Sequence, residues 1–170
     1  KNRPITKPFP IMCADKEQIK EIIETLTKNS KKSSYIRDGF KPIIPQNTKV
    51  IDVLLDNEIL TINFSKELLN IDKDNEEKMI EAIIYSLTEI KEIKKIKILV
   101  ENNPLTKLPN SQKKLPDYLD KNYGINKIYN LDSIKESTKT TIYYLSKFQD
   151  YHYFVPVTKI NNEKTEKVEA

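Results

Sequence analysis

Few residues of this sequence have the chemistry of a catalytic site. His152 is the only histidine, and it stands between Tyr151 and Tyr153 in a pattern typical of a strand. A general base needs an orienting carboxylate and a nucleophile close by, and no motif around His152 supplies either. We therefore interpret His152 as a residue on the face of a strand.

The acid, serine and glycine motifs have structural explanations. The pair Glu76-Glu77 opens a helical pattern, where the helix dipole favours negative charge. Ser65 lacks the glycines of a nucleophile elbow and the lysine of a Ser-x-x-Lys site, so we interpret it as a capping serine. Gly39 and Gly124 are the only glycines, and they form no phosphate-binding loop. The motifs predict that the chain is not an enzyme and uses no cofactor.

Composition predicts a well-solvated globular protein. The chain has 170 residues, of which 38% are hydrophobic and 32% charged. The single Cys13 cannot form an internal disulfide, and no CxxC or His/Cys cluster offers a metal site. There is no membrane-spanning run and no signal-peptide pattern.

Charge excludes a typical nucleic-acid surface. The net charge of +4 combines +6 for residues 1–50 (11 basic, 5 acidic), −4 for 51–100 (7 and 11) and +2 for 101–170 (11 and 9). Lysines alternate with glutamates on helical patterns instead of clustering. We expect no nucleic-acid partner.

A short phrase occurs twice, as Pro4-Ile5-Thr6-Lys7 and as Pro156-Val157-Thr158-Lys159, and each copy leads into helical pattern. The offset is 152 residues (156 minus 4), far longer than the roughly 20 to 50 residues of a solenoid repeat. This spacing favours two domain-sized copies. The alternative is that two unrelated strands end in the same phrase.

Hydrophobic periodicity predicts an α+β fold. A small antiparallel or mixed sheet would carry two helices on one face, followed by the beginning of a second copy. We expect a turn at Asp56-Asn57 and a second helix that begins at Asp74. The predicted elements are strand 3–11, helix 15–28, strands 49–56 and 58–64, a helix with the stripe Ile80, Ile83, Ile84, Leu87 and Ile90, strand 95–100, and strands 140–145 and 151–157.

Four tyrosines in the last predicted hairpin leave two interpretations open. Tyr143, Tyr144, Tyr151 and Tyr153 could stack on sugars or bases. Cross-strand aromatic pairing explains the same group without a ligand.

An ordered series of motifs along nearly the whole chain resembles the GerMN domain family of sporulation and spore germination proteins. The segments are RDGFKPIIP (37–45), LTINFSKE (60–67), AIIYSLT (82–88), YGIN (123–126), TIYY (141–144) and YFVPVT (153–158). The family-matched positions, which we interpret as structural and not catalytic, are Asp38, Gly39, Phe40, Pro45, Phe64, Ser65, Leu87, Thr88, Gly124, Asn126, Tyr143, Tyr144, Pro156, Val157 and Thr158.

The resemblance implies tandem GerMN domains. We expect a first domain at 1–108 that lacks its first strand, an interdomain linker at 109–138, and a truncated second domain at 139–170. Arg3 precedes the first copy of the repeated phrase where the second copy has Phe154-Val155, so the two domains differ there.

The resemblance also implies a function. The family is not known to be enzymatic. The resemblance implies that this chain is an envelope lipoprotein on the outer face of the mother-cell membrane. Such a protein would support the assembly that connects mother cell and forespore, with other sporulation envelope and channel proteins as partners. Its signal peptide and lipid anchor would lie upstream of this sequence. The alternative is a module that binds peptidoglycan.

Overall fold

The computed structural model describes residues 16–36, 41–130 and 137–162. Cys13 and the predicted first strand at 3–11 lie outside these ranges. The described α-helices and strands are α1 (Lys16–Leu26), β1 (Val50–Asp56), β2 (Ile59–Phe64), α2 (Lys73–Leu87), β3 (Lys95–Val100), β4 (Asn103–Pro104), β5 (Ile128–Asn130), β6 (Ser137–Phe148) and β7 (Tyr151–Asn162). Short 3-10 helices cover Lys31–Tyr35, Lys66–Leu69 and Lys121–Tyr123.

The first sheet has the order β1-β2-β3-β4. Strands β1 and β2 form an antiparallel hairpin, and β2 pairs with β3 in parallel. A parallel pair needs a crossover connection, and α2 supplies it between β2 and β3. The predicted α+β fold with a mixed sheet and two helices is confirmed.

One face of the first sheet forms the core together with α2. Leu60, Ile62 and Phe64 stand opposite Ile96, Ile98 and Val100 in the β2–β3 ladder, and all six are buried. Side chains alternate along a strand, so these residues share one face. The predicted helical stripe packs against them, because Ile80, Ile83, Ile84, Leu87 and Ile90 are buried in the same cluster.

Two local predictions are displaced by one or two residues. The β1–β2 turn uses Asn57 and Glu58, with φ of 46° and 64°, as expected for a two-residue hairpin turn with both central residues at positive φ. Helix α2 begins at Lys73 with Asp72 as its N-cap, although the side chain of Asp72 makes no capping bond. Instead, the Asp72 carbonyl accepts hydrogen bonds from the N–H groups of Asn75 and Glu76.

Residues 108–127, which we call the bridging segment, cover part of this core. Leu108, Leu115, Leu119 and Ile125 are buried in the same cluster as β2 and α2. The backbones of Ile96 and Leu119 exchange two hydrogen bonds of 2.8 Å. Much of the predicted linker therefore packs on α1, the first sheet and α2, which together we call the first unit. The boundaries at 108 and 138 stay predictions.

The second sheet has the order β5-β7-β6. Strands β6 and β7 have 12 residues each, so the hairpin is longer than the predicted strands 140–145 and 151–157. The short β5 pairs only with Lys159, Ile160 and Asn161 of β7. The far part of the hairpin is therefore a two-stranded ribbon beyond its three-stranded base.

Candidate functional site

A buried glutamate on α2 holds the bridging segment by its backbone. Glu76 is 1% exposed, and its carboxylate accepts hydrogen bonds from the N–H groups of Asn110 (2.8 Å) and Ser111 (3.0 Å). Burial raises the pKa of Glu76, but the hydrogen bonds from Ser111 and Asn110 together outweigh burial and leave that pKa below its ordinary value. Glu76 therefore acts as a charged acceptor for a loop, one turn into the helix.

Lys127 joins the same helix from the other end of the bridging segment. Its Nζ lies 2.6 Å from Glu77 and 3.2 Å from Glu81, and its side chain is 6% exposed. The ammonium also lies 3.6 Å from the centroid of the Tyr123 ring, so the cation is shared between two carboxylates and an aromatic face. Lys113 pairs with Glu77 from the solvent side at 2.7 Å.

Of the two glutamates that pair with Lys127, Glu81 is more deeply buried than Glu77. Burial raises the pKa of Glu81, against the opposing charge of Lys127 and the N–H of Asn126, which donates to Oε2 at 2.9 Å. One turn further along α2, the Tyr85 hydroxyl donates to the Lys121 carbonyl at 3.1 Å. Burial and the nearby Glu81 raise the pKa of Tyr85 to about 12. That hydroxyl keeps its proton at neutral pH and serves as a donor.

The bridging segment binds β7 on its other side. The Ile125 N–H donates to Thr158 Oγ1 (2.9 Å), and the Thr158 N–H donates to the Ile125 carbonyl (2.8 Å). The Asn126 side-chain amide donates to the Pro156 carbonyl at 2.8 Å. Gly124 has φ of +83°, and a Cβ there would meet Thr158 atoms at 3.1 Å. Residues 124–126 therefore connect α2 to β7, with glycine required by both conformation and space.

Contacts of Glu76, Glu77, Glu81, Lys127 and residues 124–126 connect α2, the bridging segment and β7, and we call this arrangement the joint. Its carboxylates are occupied by backbone N–H groups or by lysines, which leaves Glu76, Glu77 and Glu81 poorly suited to proton transfer. Within residues 16–36, 41–130 and 137–162, no group of three or more His, Cys, Asp or Glu side chains could hold a metal ion. The helices in those ranges include none long and apolar enough to cross a membrane.

Sequence reasoning missed this joint. It explained Glu76 and Glu77 by the helix dipole alone and gave Glu81 and Lys127 no role. A usable signal was the i,i+4 spacing of Glu77 and Glu81, which places two carboxylates on one helix face. No local signal identifies Lys127 as their partner, because the lysine is 46 residues away from Glu81 (127 minus 81).

The family-matched residues fall into three places. Asp38, Gly39 and Phe40 lie outside the described residues. Gly124, Asn126, Pro156 and Thr158 meet at the joint, and Tyr143 and Tyr144 lie in the exposed hairpin. The remaining described positions are buried or half-buried, namely Pro45, Phe64, Ser65, Leu87, Thr88 and Val157.

Two of these positions make hydrogen bonds that order the first unit. Ser65 is the N-cap residue of the 3-10 helix Lys66–Leu69 but makes no side-chain capping bond. Its Oγ instead accepts from the Lys49 N–H at 3.0 Å, so Ser65 occupies the predicted cap position while its Oγ accepts from the segment leading into β1 and not from the helix backbone. Thr88 follows α2 and its hydroxyl donates to the Ile84 carbonyl at 2.7 Å.

The β6–β7 hairpin exposes apolar side chains on both faces. Directly paired residues share a face, so Tyr143, Leu145 and Phe154 lie on one side, where they are 65%, 64% and 63% exposed. The other side carries Tyr144, Phe148, Tyr151 and Tyr153. The four tyrosines of the sugar-stacking hypothesis are thus divided, with Tyr143 alone on its face.

His152 is exposed on β7 and pairs in the ladder with Lys147. A cation as cross-strand neighbour cannot orient an imidazole as a carboxylate does. Its position agrees with a residue on the face of a strand.

Comparisons with known proteins point to sporulation. A sequence model of the Germane family, described as sporulation and spore germination, matches residues 1–106. Spore germination protein GerM of Bacillus subtilis (strain 168) is 28% identical over 168 residues, which is 97% of this chain and 45% of that protein. The chain therefore spans less than half the length of this relative.

Two solved structures share the fold. The tandem GerMN domains of the sporulation protein GerM from Bacillus subtilis match with a TM-score of 0.82 and 25% identity, over 91% of this chain and 55% of that one. A Clostridium perfringens protein described as a candidate lipoprotein matches with a TM-score of 0.50 and 26% identity, over 62% of this chain and 66% of the other. Similarity to the tandem structure extends past the first unit into the second sheet, because it includes most of the chain.

Proposed function

Because the chain belongs to the Germane family of sporulation and spore germination proteins, we propose that it is a non-catalytic envelope protein of the sporulating cell. In this proposal it supports assembly of the complex that connects mother cell and forespore, through contacts with other envelope and channel proteins. The observation that carries the proposal is the match of the Germane family model to residues 1–106. We propose the β6–β7 hairpin as one surface for these contacts.

Large apolar side chains concentrate on this hairpin. Exposed aromatic and aliphatic groups that share a face are typical of protein interaction sites, whereas single exposed residues are ordinary. Each face of the hairpin carries three such groups. The residues more than about one third exposed are Tyr143, Tyr144, Leu145, Phe148, Tyr151 and Phe154. Elsewhere in the described ranges, the corresponding side chains are Ile51, Leu54, Leu69 and Tyr118.

The joint suits the hairpin to this role. Asn126 connects Glu81 of α2 to Pro156 of β7, so the base of the hairpin is fixed to the first unit. A surface held on a rigid base loses less conformational freedom when it binds. A partner would therefore meet an already oriented hairpin.

We place the protein outside the cytoplasm, anchored to the mother-cell membrane through an N-terminal lipid. Support comes from the similarity to GerM of Bacillus subtilis and to the Clostridium perfringens candidate lipoprotein. In this arrangement the described units would project from the membrane toward their partners.

The test is the position of a fluorescent fusion of the intact protein in sporulating cells, with and without the neighbouring channel proteins. We expect enrichment around the engulfed forespore that depends on those proteins. Uniform envelope or cytoplasmic signal would contradict the proposal.

Two leucines provide a matched pair of variants for that test. Leu145 is 64% exposed on the hairpin and Leu54 is 58% exposed on the first sheet. Leu145→Ser should disperse the fusion, while Leu54→Ser should leave its position unchanged. Equal behaviour of the two variants would remove the hairpin from the mechanism.

A peptidoglycan-binding module is the alternative, and one observation favours it. Tyr144, Tyr151 and Tyr153 share a hairpin face, and aromatic faces can stack on sugars. Replacement of these three tyrosines by alanine should abolish peptidoglycan pulldown in a folded protein if this alternative is correct. Undiminished pulldown, or none by the native chain, would eliminate it.

A further inference from the structure

A polar cavity lies between the loops that follow α1 and β2. Its volume is about 310 Å³, at the lower end of the roughly 300–1,000 Å³ of small-molecule sites. Its lining combines one ammonium, one carboxylate and three carboxamides with a proline ring, and includes no residue of the joint or of the β6–β7 hairpin. The lining residues are Lys28, Pro45, Gln46, Asn47, Glu67 and Asn70.

Hydrogen bonds within the chain hold the walls of this cavity in place. The first wall follows α1, where the Lys28 N–H donates to the Ile44 carbonyl at 2.9 Å. The second wall is the turn before β1, which the Thr48 hydroxyl closes by donating to the Pro45 carbonyl at 2.7 Å. The third wall includes the 3-10 helix Lys66–Leu69, which follows β2. The cavity is therefore formed before a ligand binds, as small-molecule sites usually are.

The two charges that line the cavity differ in their partners. Hydrogen bonds from Ser65 and from its own N–H group, together with the charges of Lys66 and Lys49, hold the pKa of Glu67 below its ordinary value of 4.5. Lys28 is half-buried and forms none of the ion pairs found among the described residues. The charge of Glu67 is thus compensated, while the ammonium of Lys28 is left to attract an anionic ligand.

The carboxamides restrict the rest of the ligand. Asn47 and Asn70 make no side-chain hydrogen bond within the part of the chain that the structure describes. Gln46 uses its Oε1 to accept from Asn29 Nδ2 at 2.9 Å, which leaves its amide nitrogen to a ligand. A carboxamide has both donors and an acceptor, so it can bond the N–H and the C=O of a peptide group. The lining therefore matches an amide that carries a carboxylate.

We propose that this cavity binds the free carboxylate end of a short peptide. Lys28 donates to the terminal carboxylate, and Asn47 and Asn70 bond the last peptide group. Capture of a terminal carboxylate is a recurring mode of peptide recognition. The proposal goes beyond the proposed function, because the cavity and the hairpin share no residue.

Other small ligands fit the lining less well. A neutral sugar would leave the charge of Lys28 without a partner, and no aromatic side chain lines the cavity to stack on a sugar. An inorganic anion such as phosphate would bring acceptor oxygens toward the carboxylate of Glu67 and the carboxamide oxygens. A peptide end supplies the anion for Lys28 together with an N–H donor for these acceptors.

Titration of the full chain with a capped dipeptide tests the proposal. The probe is N-acetyl-L-alanyl-L-alanine, which has a free carboxylate, and its control is the same dipeptide with a C-terminal amide. We expect saturable NMR shifts of the backbone amides of residues 28–29, 46–47 and 66–70. The amide control should bind roughly tenfold more weakly, because a charge-assisted hydrogen bond is lost. Equal binding of the two dipeptides would overturn the proposal, as would the absence of saturable shifts in these residues.

A matched pair of lysine variants tests the anion-binding group. Lys28→Met should weaken binding of the acid probe roughly tenfold and leave binding of the amide control unchanged. Lys31→Met is the control variant, since Lys31 is exposed and does not line the cavity. It should bind the acid probe as the native chain does. Equal affinity of the two variants would overturn the role of Lys28.

Asn47 allows its carboxamide to be removed without a change in the turn. Its φ is 66°, a conformation that glycine adopts readily. Asn47→Gly should therefore keep the fold and weaken binding of the acid probe roughly threefold to tenfold, since a hydrogen bond to the ligand is lost. Unchanged affinity of the folded Asn47→Gly variant would overturn the role of this carboxamide.

The D,D form of the probe distinguishes two sources of such a peptide end. Cell-wall peptides carry D-residues at this end, whereas ribosomally made chains end in L-residues. Tighter binding of the D,D form would assign the site to wall peptides, and tighter binding of the L,L form to protein ends; either preference supports the site.

The result is separable from that of the proposed function. If neither form of the dipeptide binds while the fusion still gathers at the forespore, the cavity is not a peptide site and the envelope function stands. If the dipeptide binds while the fusion stays uniform, the peptide site stands and the proposed function fails.

Discussion

Phe64 and Phe154 are both strand phenylalanines, yet Phe64 is 0% exposed in the first sheet and Phe154 is 63% exposed in the second. The first sheet buries one face under α2 and the bridging segment, and its edges are short or irregular. The second sheet has its apolar residues on both faces of a ribbon. Residue type alone therefore does not define the core of this chain, because the covering layer decides which side chains leave water.

The two phenylalanines should differ strongly in their contribution to stability. Phe64→Ala should destabilise the chain by about 3–5 kcal/mol because it leaves a cavity in the core. Phe154→Ala should change the free energy of unfolding by less than about 0.5 kcal/mol. Urea unfolding followed by circular dichroism measures both. Similar costs for the two variants would show that the hairpin is covered in solution.

Substitution of Lys127 should weaken the joint between the two regions. Lys127→Met removes the cation between Glu77 and Glu81 and should cost about 3 kcal/mol, since it strands a buried carboxylate. The matched change Lys113→Met removes a half-exposed partner of Glu77 and should cost less than about 1 kcal/mol. Hydrogen exchange should rise in residues 108–127 for Lys127→Met alone. Equal stability losses would contradict the buried role of Lys127.

Lowering the pH should reduce the stability of the same joint through Glu76. The pKa of Glu76 is lowered in the folded chain, so its stabilisation is present above the ordinary value of 4.5 and is lost as the pH falls through the folded pKa. Glu76→Gln should cost about 2 kcal/mol at neutral pH, because charged hydrogen bonds are lost. The Glu76→Gln variant should also weaken the decrease in the free energy of unfolding at acid pH.

Glu81 provides the opposite sign for comparison. Its pKa is raised, so its contribution is fully present below the ordinary value of 4.5 and declines as the pH rises through the folded pKa. Urea titrations of Glu76→Gln and Glu81→Gln across that range separate the two slopes. Parallel pH profiles for the two variants would reject the assignment.

A change at Gly124 tests the contact of the bridging segment with β7. Gly124→Ala should cost about 1–3 kcal/mol, since φ of +83° is unfavourable for alanine and its Cβ would press on Thr158. Thr158→Ser in that background removes the methyl group in the way and should recover part of the loss. Thermal unfolding of the single and double variants measures both contributions. A neutral Gly124→Ala would mean that residues 124–126 are not held as described.

Periodic elements of the first unit could be predicted closely. Strand 95–100 was expected and is observed as Lys95–Val100, because Ile96, Ile98 and Val100 alternate with polar or half-buried residues. The stripe on α2 was predicted for the same reason, as its isoleucines recur at helical spacing. The predicted turn and cap positions are less accurate. The observed positions are Asn57-Glu58 and Asp72, and the neighbouring Asp56 and Asp74 have similar chemistry.

The bridging segment could not be predicted in the same way. Its prolines and lysines are typical of a solvated connection, yet Leu115 and Leu119 are buried in the core. These leucines have no regular period, so only contacts with distant strands reveal their role. The joint is similarly non-local, because Glu76 accepts from Ser111 and Asn126 bonds Pro156.

Local periodicity and ordered motifs predict the α+β class, the two helices, an antiparallel or mixed sheet and the family, because these depend on near neighbours and on the order of short segments. The fold is needed to see that Glu81 and Lys127 are buried together, that the hairpin tyrosines divide between two faces, that the sheet is mixed, and that β6 is an edge strand among the described residues. The physical reason is the range of the interactions. Periodicity is set by neighbours three or four residues away in a helix and two in a strand, whereas burial, ion pairing and edge exposure depend on which distant segments cover each surface.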